Sequence, residues 1–367
     1  MSSPPARPPA PAPGAAPRTG AALTVPGGPR CWEGAASSPL SCPLCAPVRS
    51  YDDMDVLFFP EGEEIPIKLC QSVFGWANNF KEDYLAGDPL GRGSYGVVRK
   101  AVEKATGRVV AVKSISKSRP VWTGGMDGGV RDATTSTHLL KVQAEVNTLA
   151  RMSDVDEVLA LEKVYEDDSR VYLVMELCEG GCLQDVLQRG QSLGEERGKR
   201  LARSVLAMLS ACHSRGIIYR DIKPANFLFL TDGEDSPVKC IDFGLAANFI
   251  PGAQEYMEKR AGTPVYMAPE VVMQKYDEKA DMWSAGVMIY HALSGRVPFW
   301  GGEVPVNVPL KDIFFDVMIK DLRLDGAEWE GISEEAKAFL RALLQRDPDN
   351  RLSALDALRH PWLAAAN

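Results

Sequence analysis

The spacing of apolar residues divides the chain into a strand-rich part and a later helix-rich part. From Tyr84 to Ser116, short alternating runs separated by glycine-bearing turns predict antiparallel strands. Residues 117–137 interrupt this pattern with glycine, serine and threonine, and they are predicted to form a loop. Apolar residues then recur at helical spacing along one face, at Leu139, Val142, Val146 and Leu149.

The second half of the chain is predicted to be mainly helical. A buried strand at 171–175 comes first, and a link near 176–181 follows it. Similar apolar stripes lie near 280–293, 334–345 and 353–362, and another is formed by Leu201, Val205, Leu209 and Cys212. A small β-rich lobe followed by a larger helical lobe is expected to bind its ligand in the cleft between the two lobes.

Residues 1–50 differ in composition from the rest of the chain. They hold 12 of the 26 prolines, and Glu33 is their only acid. Such a segment cannot bury enough apolar surface to offset its ordering entropy, so it is predicted to be disordered. Its arginines and lack of acids also fit a transit peptide, so two interpretations stay open: a plastid or other organelle, or a plain tail on a cytoplasmic protein. Residues 51–84 are interpreted as an N-terminal extension and 363–367 as a C-terminal tail.

Charge and cysteine content narrow the class of protein. The chain has 41 Lys and Arg against 49 Asp and Glu, a net charge of −8, which is the wrong sign for a nucleic-acid partner. No stretch approaches the roughly 18 apolar residues of a membrane span, so none is expected. The eight cysteines are too sparse for a disulfide scaffold. Cys42 and Cys45 are spaced like half a zinc site, but no second pair follows, and zinc is not expected.

Glycines recur at a phosphate-binding spacing between two predicted strands. Glycines in such a turn let backbone N–H groups approach a phosphate closely. A dinucleotide-binding fold uses a similar spacing but opens a helix at this point, whereas the residues after Gly96 predict a hairpin. A plain glycine-rich turn stays open as the alternative. The segment comprises Gly91, Arg92, Gly93, Ser94, Tyr95, Gly96, Val97 and Val98.

A lysine lies on a predicted strand whose face is otherwise apolar. Lys113 shares that face with Ala111 and Ile115. A buried ammonium needs an anion nearby. Glu145, at the border of the apolar stripe of the predicted helix, can supply one, and a phosphate in the cleft can supply another.

Carboxylate, lysine and amide side chains gather in two later segments. Asp221, Lys223 and Asn226 lie within six residues of one another. Asp221 can accept a hydrogen bond from a hydroxyl, and Lys223 can neutralise a transferring phosphoryl group. Asn226 can offer an oxygen to a hard cation, and so can Asp242 further along the chain. Together they supply the one or two protein oxygens that a Mg²⁺ site usually takes.

The order of these segments resembles the signature set of the eukaryotic protein kinases. The resemblance covers about residues 85–362, and it implies an α+β, bilobal protein kinase fold. The N-lobe would be a small antiparallel β-rich unit with one helix, and the C-lobe would be larger and mainly α. ATP and Mg²⁺ are the implied cofactors. Lys223 and Thr263 resemble the serine/threonine branch, which implies protein substrates that present Ser or Thr.

The same resemblance implies a role for each matching residue. Asp221 would be the catalytic base, with Lys223, Lys113 and Thr263 also catalytic, and Asn226 and Asp242 would be the metal ligands. Glu270 would pair with Arg351, and Asp281 would tether the catalytic loop. The nucleotide would be held by Leu90, Gly91, Arg92, Gly93, Ser94, Tyr95, Gly96, Val97, Val98, Ala111, Lys113, Glu145, Glu176, Cys178 and Leu228.

Within the serine/threonine branch, the chain resembles the calcium/calmodulin-dependent kinases and the calcium-dependent kinases of plants and protists. Residues 174–181, 226–229 and 249–252 carry this resemblance. The relatives usually have glutamate where this chain has Cys182, and basophilic kinases often have one at Ala225. No EF-hand loop pattern occurs in the sequence, so no calcium binding is expected. Arg220 is expected to hold the activation segment through Glu255 or Glu258.

Two alternatives to an active protein kinase come from other functional classes. A catalytically dead kinase-fold scaffold is disfavoured because Lys113, Asp221, Asn226 and Asp242 are all present. A small-molecule phosphotransferase is disfavoured by residues 262–264 and 268–270, which resemble the elements that shape a peptide-binding site.

Overall fold

The computed structural model describes residues 73–93, 96–122, 130–133, 135–188, 191–253, 255–300 and 308–364. All of these residues belong to one compact unit, Arg49–Asn367. The predictions for residues 1–50, for the zinc-like cysteine pair and for Ser94 and Tyr95 fall outside the described residues. Among the residues that are described, no helix is both long and apolar enough to cross a bilayer.

The N-terminal lobe is a five-stranded antiparallel sheet, as the alternating pattern predicts. Its strand order is β1-β2-β3-β7-β6. Short turns join β2 to β3 and β6 to β7, whereas β3 pairs with β7, which is far from it in the sequence. The strands are β1 (Tyr84–Gly93), β2 (Gly96–Glu103), β3 (Val109–Ser116), β6 (Leu161–Glu166) and β7 (Arg170–Met175).

Helix α2 (Ser136–Arg151) is the long helix of this lobe, and a four-residue helix, α1 (Phe80–Asp83), precedes β1. Thr135 caps α2 by accepting a hydrogen bond from the His138 N–H at 3.3 Å. The predicted stripe of α2 is buried at all four of its positions, Leu139, Val142, Val146 and Leu149. Its burial fixes the rotation of the helix and so the direction of Glu145.

The segment between β3 and α2 is not the loop that its glycine, serine and threonine content predicts. Strands β4 (Arg119–Trp122) and β5 (Val130–Ala133) form an antiparallel hairpin there. Valine and tryptophan favour strands, and in these two short runs that preference outweighs the turn-rich composition around them. The loop prediction is therefore wrong for these residues.

The C-terminal lobe is mainly helical, with two short strand pairs beside the cleft. The strand pairs are β8 (Ile217–Ile218) with β11 (Ala247–Asn248), and β9 (Phe227–Phe229) with β10 (Val238–Cys240). The helices are α3 (Leu183–Gln188), α4 (Gly194–Ser214), α5 (Pro269–Val272), α6 (Lys279–Ser294), α7 (Leu310–Ile319), α8 (Glu334–Leu343), α9 (Ala354–Leu358) and α10 (Pro361–Ala364).

Helices α4 and α6 form the centre of this lobe. The stripe on α4 is buried as predicted, and α6 is buried around almost its whole circumference. Gly198 on α4 lets the two helices approach, since a Cβ there would lie 2.4 Å from a methyl carbon of Leu293. The loops that leave this rigid pair carry the polar residues of the cleft.

Candidate active site

The glycines of the glycine-rich segment lie at the facing ends of β1 and β2, in the hairpin that the sequence predicts. Gly93 and Gly96 face each other in the register of the two strands. Gly96 also crosses β3 so closely that a Cβ would lie 2.1 Å from the Ser114 carbonyl oxygen. Any other residue at this position would push the turn away from the sheet.

A cleft of about 510 Å³ opens beneath this turn. It runs along the link after β7, with Leu90 and Val98 above it and Leu228 on the opposite lobe. Val97 is not among its lining residues, because neighbouring residues of a strand point to opposite faces and Val98 faces the cleft. The predicted nucleotide-binding residues that line the cleft are Leu90, Gly91, Val98, Ala111, Lys113, Glu176, Cys178 and Leu228.

The link between the lobes, near residues 176–181, is fixed by contacts of the Glu176 side chain on the side away from the cleft. The carboxylate of Glu176 accepts a hydrogen bond from the Ala160 N–H at 2.8 Å and pairs with Lys239 at 3.1 Å. These contacts hold the Glu176 side chain away from the nucleotide position. Nearby, burial raises the pKa of the Cys178 thiol to about 11, so it is protonated at neutral pH.

Lys113 lies at the back of the cleft between two carboxylates. Its Nζ atom is 2.5 Å from Glu145 Oε1 and 3.5 Å from Asp242 Oδ1. The Lys113 side chain is only 5% exposed. Burial lowers the pKa of Lys113, but the two carboxylates raise it by more, so the net shift is upward and the ammonium stays charged. The structure thus brings together three residues that are far apart in the sequence.

Asp221 is the centre of a second cluster at the mouth of the cleft. Its Oδ2 atom accepts hydrogen bonds from Lys223 Nζ at 2.7 Å and Asn226 Nδ2 at 3.0 Å. Its Oδ1 atom accepts one from the Thr263 hydroxyl at 3.0 Å, and Lys223 also donates to that hydroxyl at 3.1 Å. Four predicted catalytic-loop and activation-segment residues therefore form one connected network around a single carboxylate.

The oxygens of Asn226 and Asp242 fit a hard divalent cation. The Asn226 amide nitrogen donates both to Asp221 Oδ2 and to the Asp221 carbonyl oxygen at 2.8 Å, which leaves the amide oxygen for another partner. The described residues contain no group of three or more His, Cys, Asp or Glu placed to hold a metal. Mg²⁺ does not need such a group, because it usually takes one or two protein oxygens together with substrate phosphates and water.

A buried aspartate holds the backbone of the catalytic loop, as predicted. Asp281 accepts hydrogen bonds from the N–H groups of Tyr219 at 2.8 Å and Arg220 at 2.7 Å. The ring of His213 lies 3.0 Å from the same carboxylate. These contacts hold Arg220 at a φ of +68°, a left-handed conformation that is uncommon outside glycine.

Arg220 does not reach the glutamates that the sequence suggested. Its Nε atom donates to the Leu245 carbonyl at 2.7 Å, and its Nη1 atom lies 3.4 Å from the Tyr276 hydroxyl. That hydroxyl donates to the Lys259 carbonyl at 2.7 Å. The prediction of a glutamate partner is wrong, because the buried Tyr276 takes the position between Arg220 and the activation segment. No sequence signal marked this tyrosine.

The end of the activation segment is fastened by the predicted ion pair. Arg351 is almost fully buried, and its two terminal nitrogens contact Glu270 at 2.5 and 3.1 Å. Arg351 also donates to the Lys279 carbonyl and lies over the Trp283 ring. The pair therefore joins α5 to α6 and to the loop before α9.

Known proteins confirm the resemblance seen in the sequence. The family model described as protein kinase domain matches residues 84–363. Calcium-dependent protein kinase 11 of Oryza sativa subsp. japonica is 42% identical over 284 residues, which cover 77% of this chain and 46% of the relative. Calcium-dependent protein kinase 25 of Arabidopsis thaliana is 40% identical over 286 residues, which cover 78% of this chain and 51% of the relative.

The chain spans about half the length of the curated relatives it matches. The matched region contains the sheet, the helical lobe and the two polar clusters described above. The predicted α+β bilobal fold and the likeness to the calcium-dependent kinases are both confirmed. The chain belongs to the protein kinase family.

Proposed function

We propose that this chain is a Mg-ATP-dependent serine/threonine protein kinase. The observation that carries the proposal is the position of Lys113, buried between Glu145 and Asp242 at the back of a cleft. A charged ammonium held there by two carboxylates is ready to bind the phosphates of a nucleotide. Asp221, in the polar cluster at the mouth of the cleft, is the group that receives the second substrate.

The cleft binds ATP with its apolar walls and its backbone. Leu90, Val98, Ala111 and Leu228 enclose the adenine ring, and the backbone of the link at Glu176 and Cys178 binds its polar edge. The glycines of the β1–β2 turn cover the phosphates. Lys113 binds the α- and β-phosphates, and Glu145 keeps the ammonium in place. Residues 85–362 form the catalytic domain in this proposal, and residues 51–84 form an N-terminal extension before it.

Asp221 orients the acceptor hydroxyl and takes its proton at a carboxylate oxygen. Lys223, 2.7 Å from Asp221 Oδ2, neutralises negative charge that develops on the transferring phosphoryl group. Thr263 holds the other Asp221 oxygen, which fixes the plane of the carboxylate. Asn226 and Asp242 would hold Mg²⁺ through oxygen, and the bound cation would neutralise phosphate charge.

The substrate site lacks the carboxylates that bind a basic residue in many relatives. Cys182 Sγ lies 3.7 Å from the Ala225 carbonyl oxygen, so the two substituted positions are neighbours in space. Neither of these two positions therefore supplies the carboxylate that binds a substrate arginine in such relatives. We propose that the protein substrates present Ser or Thr without a required arginine three residues earlier. Because the sequence has no EF-hand loop, phosphoryl transfer by this chain is also expected to be equal in calcium and in a calcium chelator.

The decisive experiment compares matched aspartate variants in a transfer assay. The wild-type chain, Asp221→Asn and Asp232→Asn are incubated with γ-labelled ATP, Mg²⁺ and generic protein substrates. Asp221→Asn is expected to lower kcat by about 10²–10⁴-fold, because it removes the base. Asp232 is exposed on a loop, and Asp232→Asn is expected to behave as wild type.

Each alternative predicts a different result in the same assay. A scaffold without catalysis would bind ATP and give no labelled product in any variant. A small-molecule phosphotransferase would leave proteins unlabelled and label small hydroxyl compounds instead. Either result would overturn the proposal.

A further inference from the structure

A second buried ion pair lies in the N-terminal lobe, outside the cleft. Lys117 Nζ is 2.7 Å from Glu166 Oε2, and both side chains are only 1% exposed. The Glu166 carboxylate also accepts hydrogen bonds from the backbone N–H groups of Phe74 at 3.2 Å and Trp76 at 3.0 Å. Burying two charges is costly unless further hydrogen bonds satisfy them. Here the pair organises the chain that precedes the sheet.

Residues 73–79, which we call the N-terminal clasp, are shaped around this carboxylate. Gly75 has a φ of +71°, and the turn at this position stacks the rings of Phe74 and Trp76 with centroids 4.3 Å apart. The Glu166 N–H then donates to the Ala77 carbonyl at 2.8 Å. Ala77 also forms a parallel bridge with Tyr165, so the clasp adds to the edge of the sheet beside β6.

The clasp reaches the helix that carries Glu145. Val73 and Phe74 pack against Leu139 of α2. Leu139 lies six residues before Glu145, fewer than two helical turns away. The ring of His138, the residue before Leu139, hydrogen-bonds to the Ser116 carbonyl at the end of β3, with a distance of 2.7 Å.

The two partners of the cleft ion pair are therefore both tied to the clasp. Lys117 follows directly after β3, the strand that holds Lys113. The helix that holds Glu145 contacts the clasp through Leu139. The clasp therefore contacts both the segment that ends the Lys113 strand and the helix that carries Glu145.

We propose that the N-terminal clasp, fastened by the Lys117–Glu166 pair, positions α2 so that Lys113 and Glu145 stay paired. Glu166, Lys117, Phe74 and Trp76 are positioning residues, since none of them lines the cleft. The proposal rests on the proposed kinase function for its activity readout. It also assigns a role to residues that lie before the strand where the catalytic region was predicted to begin.

The test compares two double variants that both remove the buried charges but differ in whether residue 166 can still accept hydrogen bonds from the clasp. In Lys117→Met with Glu166→Leu, two apolar side chains replace the ion pair, which is expected to cost little stability, and the Phe74 and Trp76 N–H groups lose their acceptor. In Lys117→Met with Glu166→Gln, the charges are also gone, but the amide oxygen still accepts those hydrogen bonds. The Leu variant is expected to lower kcat/KM by about tenfold, with weaker Mg-ATP binding. The Gln variant is expected to retain most of the wild-type kcat/KM.

A single-residue variant covers the case in which the double substitution does not fold. Gly75→Ala meets no atom within 4 Å, but it places an alanine at a left-handed φ, which strains the clasp turn alone. It is expected to lower kcat/KM by about threefold to tenfold, with a fall of only a few degrees in the unfolding temperature. Wild-type kinetics in Gly75→Ala, or equal kinetics in the Leu and Gln double variants, would overturn the proposal.

The experiments distinguish an error in the proposed kinase function from an error in the proposed role of the clasp. If the wild-type chain transfers no phosphate, the proposed function falls. The clasp is then judged by hydrogen exchange of the backbone amides of α2 in the wild-type and Gly75→Ala chains. Faster exchange across Leu139–Glu145 in the variant supports the clasp, and identical exchange overturns it.

Discussion

Acid is expected to destabilise this fold through one buried histidine, His291 on α6. The ring is 4% exposed, and its Nδ1 atom lies 3.3 Å from the hydroxyl of Tyr266, two residues before Ala268 in the activation segment. Burial lowers the pKa of His291 from 6.5 to about 4. As the pH falls, His291 therefore binds a proton near pH 6.5 in the unfolded chain, but only near pH 4 in the folded chain.

The magnitude follows from these two pKa values. At pH 5 the unfolded His291 is almost fully protonated, and the folded one is protonated in about a tenth of molecules. The difference in proton binding lowers the free energy of unfolding by about 2 kcal/mol relative to pH 7.5. This stability is fully present above pH 6.5 and is lost as the pH falls from 6.5 towards 4.

The assay is urea denaturation of the wild type and of His291→Gln at pH 7.5, 6 and 5. Glutamine does not titrate and retains a group that can hydrogen-bond to Tyr266. All other titrating groups are shared, so they cancel in the difference between the two proteins. The wild type is expected to lose about 2 kcal/mol more than the variant between pH 7.5 and pH 5. Parallel curves would show that His291 binds its proton equally well in both states, which would refute the reasoning.

Two further substitutions test contacts around the activation segment. Glu270→Gln leaves the buried Arg351 guanidinium without its carboxylate. In urea denaturation it is expected to lower the free energy of unfolding by about 3–5 kcal/mol. A loss below about 1 kcal/mol would contradict a buried, charged pair. Tyr276→Phe removes the hydroxyl between Arg220 and the Lys259 carbonyl and is expected to lower kcat about fivefold. Because these contacts need no phosphate, the wild-type chain is expected to remain active after phosphatase treatment, and a phosphatase-sensitive wild type would contradict this.

The sequence predicted the cleft well because its residues carry strong local signals. Lys113 stood out as a charge on an apolar strand face, and Glu145 stood at the border of a helical stripe. The structure pairs them at 2.5 Å. Asp221 and Asn226 were close in the chain already, so their contact required only a tight loop. Local periodicity and short-range spacing are sufficient for such features.

The contacts that the sequence did not predict join residues without a local signal. Tyr276 lies 56 residues from Arg220, and an isolated buried tyrosine has no pattern that marks a hydrogen bond. Lys117 and Glu166 stand at strand ends, where charged residues are usually solvated, so nothing in the sequence indicated a buried pair. The β4–β5 hairpin was missed because its two strands have only four residues each, too few for alternation to show.

The thiol at the link between the lobes has a consequence for oxidative chemistry. Peroxide and electrophiles attack the thiolate form of cysteine, and a thiol with a pKa of about 11 supplies very little of it at neutral pH. Cys178 is therefore expected to resist modification although it lines the cleft. Oxidising conditions that inactivate enzymes with acidic cysteines are expected to leave the thiol of Cys178 in this cleft unmodified.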